Sequence, residues 1–454
     1  MSIRPVHVAG GGLAGCEAAL QLARFGIPVV LHEMRPARET PAHQGEALAQ
    51  IVCSNSLKSV DPTAASGLFK AELASAGCRL LAVARACAVP AGAALAVDKE
   101  LFSSRIEALL AGDPLIEIVR DEVTAPDVAG DAFWIIATGP LTSADLRLRL
   151  EALTGGAGLY FFDAIAPTVT LDSLDLDALF RAARYGKGEA DYLNAPLTRP
   201  EYEAFHAALT GAARAGVRDF DRSHLFAGCQ PIEEIADSGL ETMAFGPLRP
   251  VGLADPRTGK RPHAVVQLRQ ENRAGTLYGL VGFQTRLKRA EQRRVFRMIP
   301  GLGRAEFVRY GQLHRNFYLD TPRVLDRAFA LAARPRLRFA GQITGVEGYV
   351  ESIASGLTTA WSLAAELRGM RLPPWPSDTL LGALLHGFLF DGTGGRLTPM
   401  NVNFGLLPPL AQPPRGRGAR RQRREALSAR SRESLTRHLR SPSLQRLLAA
   451  DSTR

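Results

Sequence analysis

The sequence of 454 residues has few cysteines, and no two of them are spaced like a metal or redox motif. An odd number of scattered cysteines argues against a disulfide framework or a zinc site, so we expect reduced thiols and no resident metal. No apolar run reaches the roughly 18 residues of a membrane span, and no basic leader precedes the first strand. We therefore expect a cytoplasmic protein without a membrane segment. The cysteines are Cys16, Cys53, Cys78, Cys87 and Cys229.

Acidic residues are scarce at the C-terminal end. Residues 415–454 hold 12 Arg, no Lys and 3 acids, a net charge of +9 out of +10 for the whole chain. The high isoelectric point is therefore a property of this segment alone. We interpret residues 411–454 as an Arg-rich tail. Two interpretations stay open, a disordered solvated extension or an electrostatic arm for RNA or another polyanion.

The N-terminal region reads as strand, glycine turn, helix and strand. A buried strand at 5–9 precedes a glycine-rich turn, a helix that runs to about Phe25, and a second strand at 27–33. This succession within about 30 residues is the repeating unit of a doubly wound parallel sheet. Further strand-to-turn signals stand at 133–140 and 337–341, and the second precedes a helical pattern from about Tyr349 to Leu367.

Residues from about 155 to 320 contain no strand-to-turn signal of this kind. We therefore predict that they form an inserted α+β domain, with strands at 264–268 and 277–281. The expected fold class is therefore α/β, a Rossmann-type FAD-binding parallel sheet with an inserted α+β domain and a basic C-terminal tail. The predicted divisions are 1–154 and 321–410 for the two parts of the FAD-binding domain, 155–320 for the substrate- and tRNA-binding insertion, and 411–454 for the tail.

The glycine turn matches the dinucleotide-binding fingerprint G-x-G-x-x-G in its full context. It follows a strand, opens a helix, and is followed by an acid at the end of the next strand, 21 residues after Gly12. The glycines permit a tight turn, close approach of a pyrophosphate and helix packing, and the helix N-terminus attracts the phosphate. The acid accepts hydrogen bonds from ribose hydroxyls. The predicted binding residues are Gly10, Gly11, Gly12, Leu13, Ala14, Gly15 and Glu33.

Two later segments favour FAD over NAD as the resident cofactor. The Ile-Ala-Thr-Gly run that ends at Gly139 and the Phe-Ala-Gly-Gln run at 339–342 resemble those of two-dinucleotide-binding flavoproteins. In such proteins the last segment brings a helix N-terminus to the flavin ring, where its dipole stabilises negative charge. Gly139, Gly341, Gln342 and Tyr349 therefore join the candidate FAD-binding residues.

Two cysteines stand in loop-like surroundings, where functional residues concentrate. Cys53 lies in Val-Cys-Ser-Asn-Ser-Leu, and Cys229 lies in Ala-Gly-Cys-Gln-Pro-Ile-Glu. Cys16, Cys78 and Cys87 lie in helical or apolar runs, and we predict that they fill the core.

Many short segments closely resemble the folate- and FAD-dependent tRNA (uracil-5-)-methyltransferases, the TrmFO family. The resemblance extends over about 5–407, and the segments around Cys53 and at 340–352 are specific to that family. The matching segments are 11–19, 33–36, 40–43, 52–57, 89–92, 94–98, 245–253, 264–270, 281–285, 299–302, 309–316, 340–352 and 399–407.

The resemblance implies synthesis of 5-methyluridine in the tRNA T-loop, at tRNA position 54. The one-carbon unit would come from 5,10-methylenetetrahydrofolate, and the reducing power from NADPH or NADH through FAD. The family's two functional cysteines map onto Cys229 and Cys53. The resemblance implies that Cys229 is the nucleophile at carbon 6 of uracil. It implies that Cys53 lies near the flavin, where it protects the one-carbon adduct or removes the carbon 5 proton as a base. Ala227 and Gln230 depart from the family pattern beside Cys229. The sequence indicates no particular oligomeric state.

Three alternatives differ in substrate or class. One is the related flavoenzyme that modifies wobble uridine, for which we expect a longer chain with a helical C-terminal domain. Another is a FAD oxidoreductase acting on a small molecule, and the last is a flavin-bearing RNA-binding protein without methyl transfer. Less specific candidates for substrate contact are Arg269, Arg286, Lys288, Arg294, His314, Arg315, Asn316, Glu351, Asn401 and Asn403.

Overall fold

The fold is taken from a computed structural model of the whole chain. The residues it describes are 4–40, 42–43, 45–127, 130–186, 189–216, 230–391, 397–416 and 418–449. Within these ranges, no helix combines the length and the apolar character needed to cross a bilayer.

The strands described are short, as expected for a chain rich in glycine turns. They are β1 (Val6–Ala9), β2 (Val29–His32), β3 (Ser56–Ser59), β4 (Ala88–Val89), β5 (Ala94–Val97), β6 (Ile116–Val119), β7 (Trp134–Ile136), β8 (Gly158–Ala164), β9 (Thr168–Thr170), β10 (Phe180–Ala182), β11 (Tyr192–Leu197), β12 (Ala264–Gln270), β13 (Leu277–Leu280), β14 (Phe307–Arg309), β15 (Leu313–Leu319), β16 (Ala330–Leu331) and β17 (Arg334–Phe339).

The helices fall mainly in the first and last thirds of the chain. They are α1 (Leu13–Arg24), α2 (Ala65–Ser75), α3 (Arg79–Ala86), α4 (Lys99–Ala111), α5 (Ala144–Leu153), α6 (Arg199–Thr210), α7 (Ile232–Asp237), α8 (Thr242–Phe245), α9 (Arg289–Phe296), α10 (Thr321–Val324), α11 (Tyr349–Leu367), α12 (Leu380–Gly382), α13 (Leu389–Asp391), α14 (Ala419–Leu439) and α15 (Pro442–Ala449).

The first sheet has six strands in the order β16-β17-β7-β1-β2-β6. All neighbours in it are parallel except β16 and β17, and β1 lies at its centre between β2 and β7. The central strands β1 and β7 are mostly buried because helices cover the sheet. This arrangement confirms the predicted α/β class, with strands from both ends of the chain in one sheet.

A second six-stranded sheet, in the order β10-β11-β12-β13-β9-β14, forms the inserted domain. Its pairs are antiparallel, and it has an apolar core of its own that includes Tyr202, Phe205, Phe283 and Phe296. The antiparallel pair β8 and β15 stands where the chain enters and leaves this domain. The inserted sheet and its helices therefore pack around a core of their own.

Two helices lie in the part of the Arg-rich segment that the structure describes, 411–416 and 418–449. Helices α14 and α15 pack leucines into the core of the FAD-binding domain, among them Leu427 and Leu447. The Ser431 hydroxyl donates to the carboxylate of Glu72 at 2.5 Å, and Ser428 donates to the Pro62 carbonyl. Apolar residues at helical spacing, hidden among the arginines, explain this docking.

A buried histidine in α14 should make stability depend on pH. Burial lowers the pKa of His438, which packs against the Trp375 ring, to about 4. Because this value lies below the unfolded one, the stabilisation is complete above about pH 6.5 and is lost as pH falls through 4. Between pH 7 and pH 5 the free energy of unfolding should therefore fall less in His438→Gln than in the native protein. Urea titrations at the two pH values measure both. Equal losses would contradict this assignment.

Candidate functional site

A cleft at the carboxyl ends of the parallel strands collects most of the predicted FAD-binding residues. It holds roughly 1050 Å³ of empty space, its open mouth included. The glycine turn, the end of β2, the turn after β7 and the turn after β17 all line it. The predicted residues in its wall are Gly10, Gly12, Leu13, Ala14, Glu33, Gly139, Gly341, Gln342 and Tyr349.

The glycine turn leaves open space at the N-terminus of α1. A Cβ added at Gly12 would meet no atom within 4 Å, so the backbone there can approach a ligand closely. A Cβ at Gly15 would lie 1.9 Å from the Gly10 carbonyl oxygen, which shows how tightly the helix packs on the turn. No side chain caps α1, so the free N–H groups at its N-terminus face the cleft. This arrangement fits the pyrophosphate of a dinucleotide.

Glu33 is buried just after the end of β2, and its carboxylate accepts hydrogen bonds from within the protein. Its carboxylate accepts from the Gly11 N–H at 3.0 Å and from the Arg35 guanidinium at 2.8 Å. Gly11 therefore lies behind the cleft wall and fixes the acid rather than lining the cleft. Arg35 was missed as a site residue, although it stands in the family-like Glu-Met-Arg-Pro segment. Its guanidinium fixes the orientation of the Glu33 side chain at the end of β2.

The opposite wall is built by the turn after β17 and the start of α11. Gly341 has φ +83°, and a Cβ there would lie 2.8 Å from the Cβ of Ala14. The Gln342 amide donates to the buried Glu347 carboxyl. Gly348, with φ +114°, precedes α11, so that helix also directs its N-terminus toward the cleft.

The backbone of Cys53 is held on both sides. Its N–H donates to the Tyr349 hydroxyl at 2.7 Å, while its carbonyl accepts from Arg309 at 2.7 Å and from Lys99 at 3.2 Å. Burial, and the thiol beside it, raise the pKa of Tyr349 well above its usual value, so the hydroxyl stays protonated. The half-buried thiol approaches the Ala164 carbonyl at 3.8 Å. These bonds fix the position of the sulfur at the edge of the cleft.

The segment after Cys53 is tied to the inserted domain. The Arg269 guanidinium donates to the side chains of Ser54 and Asn55, at 2.5 and 2.7 Å. The buried Lys99–Glu271 ion pair, at 2.9 Å, joins the two domains beside it. Arg269, a candidate phosphate contact in the sequence, is therefore occupied in positioning the Cys53 loop.

The other loosely predicted residues are mostly engaged within the protein. Arg286 pairs with Glu234 and Arg294 with Glu291, whereas Lys288 is exposed at the N-cap position of α9 and its side chain makes no capping bond. Arg315 lies over the Tyr160 ring, 3.9 Å from its centroid. The remaining members of that set lie near α11 or in β15. The Glu351 carboxylate accepts from the Val402 N–H, Asn316 is buried in β15, and Asn401 and Asn403 lie in the loop that contacts α11.

Two neutral histidines lie near the cleft. Burial, and then the charge of Arg35, lower the pKa of His43 to about 4, and His43 lines the cleft. Burial and the nearby Arg309 likewise lower the pKa of His314 to about 4. Both imidazoles are therefore neutral at neutral pH and offer flat, uncharged rings. His314 was among the sequence candidates, whereas His43 was noted only within the Thr-Pro-Ala-His segment.

A second cleft lies between the two domains. It holds roughly 1450 Å³ of empty space and includes Lys99, Glu271 and Arg309 in its wall. Gln50 and Val52 line both clefts, so the segment before Cys53 separates them. Cys53 directly follows Val52, and its backbone bonds to Tyr349 of the first cleft and to Lys99 and Arg309 of the second.

The structure describes four of the five cysteines. Cys229 falls in 217–229, outside the described residues, and the structure therefore gives no position for the second predicted cysteine. Cys16, Cys78 and Cys87 are buried in the core, as predicted. Among the residues that the structure describes, no cluster of three or more His, Cys, Asp or Glu side chains could hold a metal ion.

Comparison with known proteins gives relatives over nearly the full length. Residues 5–371 match the profile of the family described as Glucose inhibited division protein A. A Geobacter sulfurreducens protein named "Methylenetetrahydrofolate--tRNA-(uracil-5-)-methyltransferase TrmFO" is 53% identical over 427 residues, which are 94% of this chain and 96% of that protein. A Rhodospirillum rubrum protein of the same name is 54% identical over 92% of this chain and 87% of its own length.

Solved structures show the same fold at much lower identity. Aquifex aeolicus GidA superposes with a TM-score of 0.68 at 15% identity, over 99% of this chain and 76% of GidA. At that identity the likeness establishes the fold alone, and it agrees with the Rossmann-type sheet described above.

Proposed function

The chain belongs to the methylenetetrahydrofolate--tRNA-(uracil-5-)-methyltransferase TrmFO family, and we propose that it makes 5-methyluridine at the T-loop uridine of tRNA with the folate one-carbon unit. The observation that carries the proposal is full-length identity above one half to relatives of that name. The site adds a dinucleotide cleft with a cysteine fixed at its edge.

FAD fits the residues of the first cleft. The open space at Gly12 would admit the pyrophosphate, Glu33 would bind the adenosine ribose, and the turn at Gly341 with the start of α11 would face the flavin ring. Bound FAD, reduced by NADPH or NADH, supplies the reducing equivalents that convert a methylene to a methyl group.

The chain's own cysteines would carry the nucleotide chemistry. Carbon 5 of uracil is a weak nucleophile, and addition of a thiolate at carbon 6 makes it reactive toward an electrophilic one-carbon unit. We assign that addition to Cys229. Cys53 is held at the edge of the cleft by Tyr349, Lys99 and Arg309, so we assign it the removal of the carbon 5 proton or protection of the site from water.

The exposed arginines of α14 would contribute attraction for the tRNA backbone. Arg420, Arg423 and Arg432 are exposed, and no carboxylate pairs with them among the residues described. Arg424, on the same helix, lies over Phe404, in the loop that contacts the start of α11. The helix therefore adds exposed positive charge beside that loop, where it would attract the RNA backbone.

Replacement of Arg420, Arg423 and Arg432 together by Gln should weaken tRNA binding and its dependence on salt. Each lost phosphate contact should flatten the slope of log K against log salt by about 0.7 to 0.9. Nitrocellulose filter binding between 50 and 200 mM salt, about the range over which such contacts weaken, measures the slope. The matched control replaces the exposed Arg304, Arg334 and Arg371 by Gln. Equal slopes in both triple variants would contradict a role for α14.

The proposed function can be tested in a bacterium that lacks its own enzyme for 5-methyluridine in the T-loop. Expression of the native chain should restore 5-methyluridine at that position, whereas Cys229→Ala should not. Nucleoside mass spectrometry of purified tRNA gives both amount and position. Restoration of a wobble modification instead would support the alternative flavoenzyme. Cytoplasmic location stays a prediction that follows from the substrate.

A further inference from the structure

An aromatic ring is held in the open on the surface of the inserted domain. Tyr185 is 62% exposed and has φ +58°, a left-handed conformation that aromatic residues rarely adopt. Such strain persists only where the surroundings enforce it, and it concentrates at binding sites. Phe245, 82% exposed, precedes the loop that supports Tyr185.

Local contacts hold the ring in place. The Tyr185 N–H donates to the Gly252 carbonyl at 2.9 Å, and the ring covers Gly252 so closely that a Cβ there would lie 3.0 Å from it. The Arg184 guanidinium donates to the carbonyls of Arg249 and Val251, at 2.6 and 2.9 Å. The loop at 249–252 is therefore fixed beneath the ring. We call Arg184, Tyr185, Arg249 and Gly252 the Tyr185 platform.

The platform carries uncompensated positive charge. Burial, and then the nearby Arg249 guanidinium, lower the pKa of Arg184 from its ordinary value. No carboxylate pairs with either arginine anywhere in the part of the chain that the structure describes. Two neighbouring guanidiniums without an acid, beside an open ring, match the chemistry of a phosphate and a base.

The platform lies beside the Cys53 loop. The Arg184 Nε donates to the Gln267 side chain at 2.8 Å, and Arg269, two residues further along β12, donates to Asn55 and Ser54. Residues two apart on a strand share a face and stand about 7 Å from each other. A nucleotide on Tyr185 would therefore lie within a few nucleotides of one that reaches the Cys53 loop.

We propose that the Tyr185 platform binds an unpaired nucleotide of the RNA substrate. Its base stacks on the exposed face of Tyr185, and the adjoining phosphate contacts Arg184 and Arg249. Sequence-tolerant stacking of splayed loop bases on aromatic rings is how proteins hold single-stranded RNA. This inference rests on the proposed function for the identity of the RNA, the T-loop of tRNA. It names a holding site separate from the reacting uridine.

The test measures binding of unmodified tRNA to the full-length protein with its FAD. Tyr185→Leu keeps an apolar cover on Gly252 but removes the ring, and it should raise the Kd about tenfold or more, whereas Tyr185→Phe should not. Arg249→Gln should flatten the log K against log salt slope by about 0.7 to 0.9, and Arg334→Gln, distant on β17, should leave it unchanged. FAD content and the melting temperature of each variant show that it is folded.

Each outcome decides the proposal. A raised Kd in Tyr185→Leu with the native Kd in Tyr185→Phe supports it, and equal Kd values in all three proteins overturn it. A raised Kd in Tyr185→Phe as well as Tyr185→Leu also overturns it, because the hydroxyl and not the ring would then be the contact. If tRNA binds through Tyr185 but no folate carbon reaches it, only the proposed reaction fails. Absence of tRNA binding by the native protein overturns both.

Discussion

Gly12→Ala is expected to weaken FAD binding by about 10- to 100-fold without destabilising the protein itself. The new Cβ meets no protein atom within 4 Å and the backbone has φ −77°, so the apoprotein accommodates alanine. The methyl group instead occupies the space that the pyrophosphate needs, and overpacking of that kind costs about 1–3 kcal/mol. Fluorescence titration of apoprotein with FAD gives the affinity, and urea unfolding of the apoprotein gives the stability.

Gly15→Ala is the matched control, because it makes the same chemical change three residues further on. Its Cβ would lie 1.9 Å from the Gly10 carbonyl oxygen, so the helix or the turn has to shift. We expect the apoprotein to lose about 3 kcal/mol of stability. A Gly12→Ala protein that binds FAD with native affinity would contradict the assignment of the cleft.

Cys53→Ala is expected to lower the rate of methyl transfer by roughly 10²- to 10⁴-fold, the contribution typical of a positioned acid or base. FAD content should stay native, because the bonds that hold this residue use its backbone N–H and carbonyl, which alanine retains. Single-turnover rates with saturating tRNA and folate measure the effect on the chemical step.

Cys87→Ala provides the comparison for Cys53. Cys87 is buried in the core at the end of α3 and does not line the cleft. Its replacement should therefore lower the stability of the protein and leave the rate per folded molecule unchanged. Native activity in Cys53→Ala would show that its fixed position serves structure alone.

The dinucleotide half of the site could be predicted from sequence because its signals are local. The turn at 10–15, the acid at Glu33 and the helix at 349–367 each follow from residues close together in the chain, and the structure has α11 at those bounds. Glycine positions in particular report backbone geometry directly, since steric demands such as those at Gly15 leave no other choice.

The surroundings of Cys53 could not be predicted in this way. Lys99 and Arg309 lie 46 and 256 positions from Cys53, and they meet it only because the inserted domain packs against the first. The partners of Arg269 are likewise set by tertiary structure, so its charge alone suggested a phosphate contact. In the C-terminal segment the abundance of arginine obscured the apolar spacing that docks α14, which composition does not reveal.

Isotope labelling can follow the proposed transfer of a folate carbon to tRNA. Purified protein is incubated with unmodified tRNA, NADPH or NADH, FAD and methylenetetrahydrofolate labelled in its one-carbon unit. We expect label in 5-methyluridine with the native protein and none with Cys229→Ala. Absence of label from 5-methyluridine with native protein that holds FAD and binds tRNA would contradict the proposed transfer.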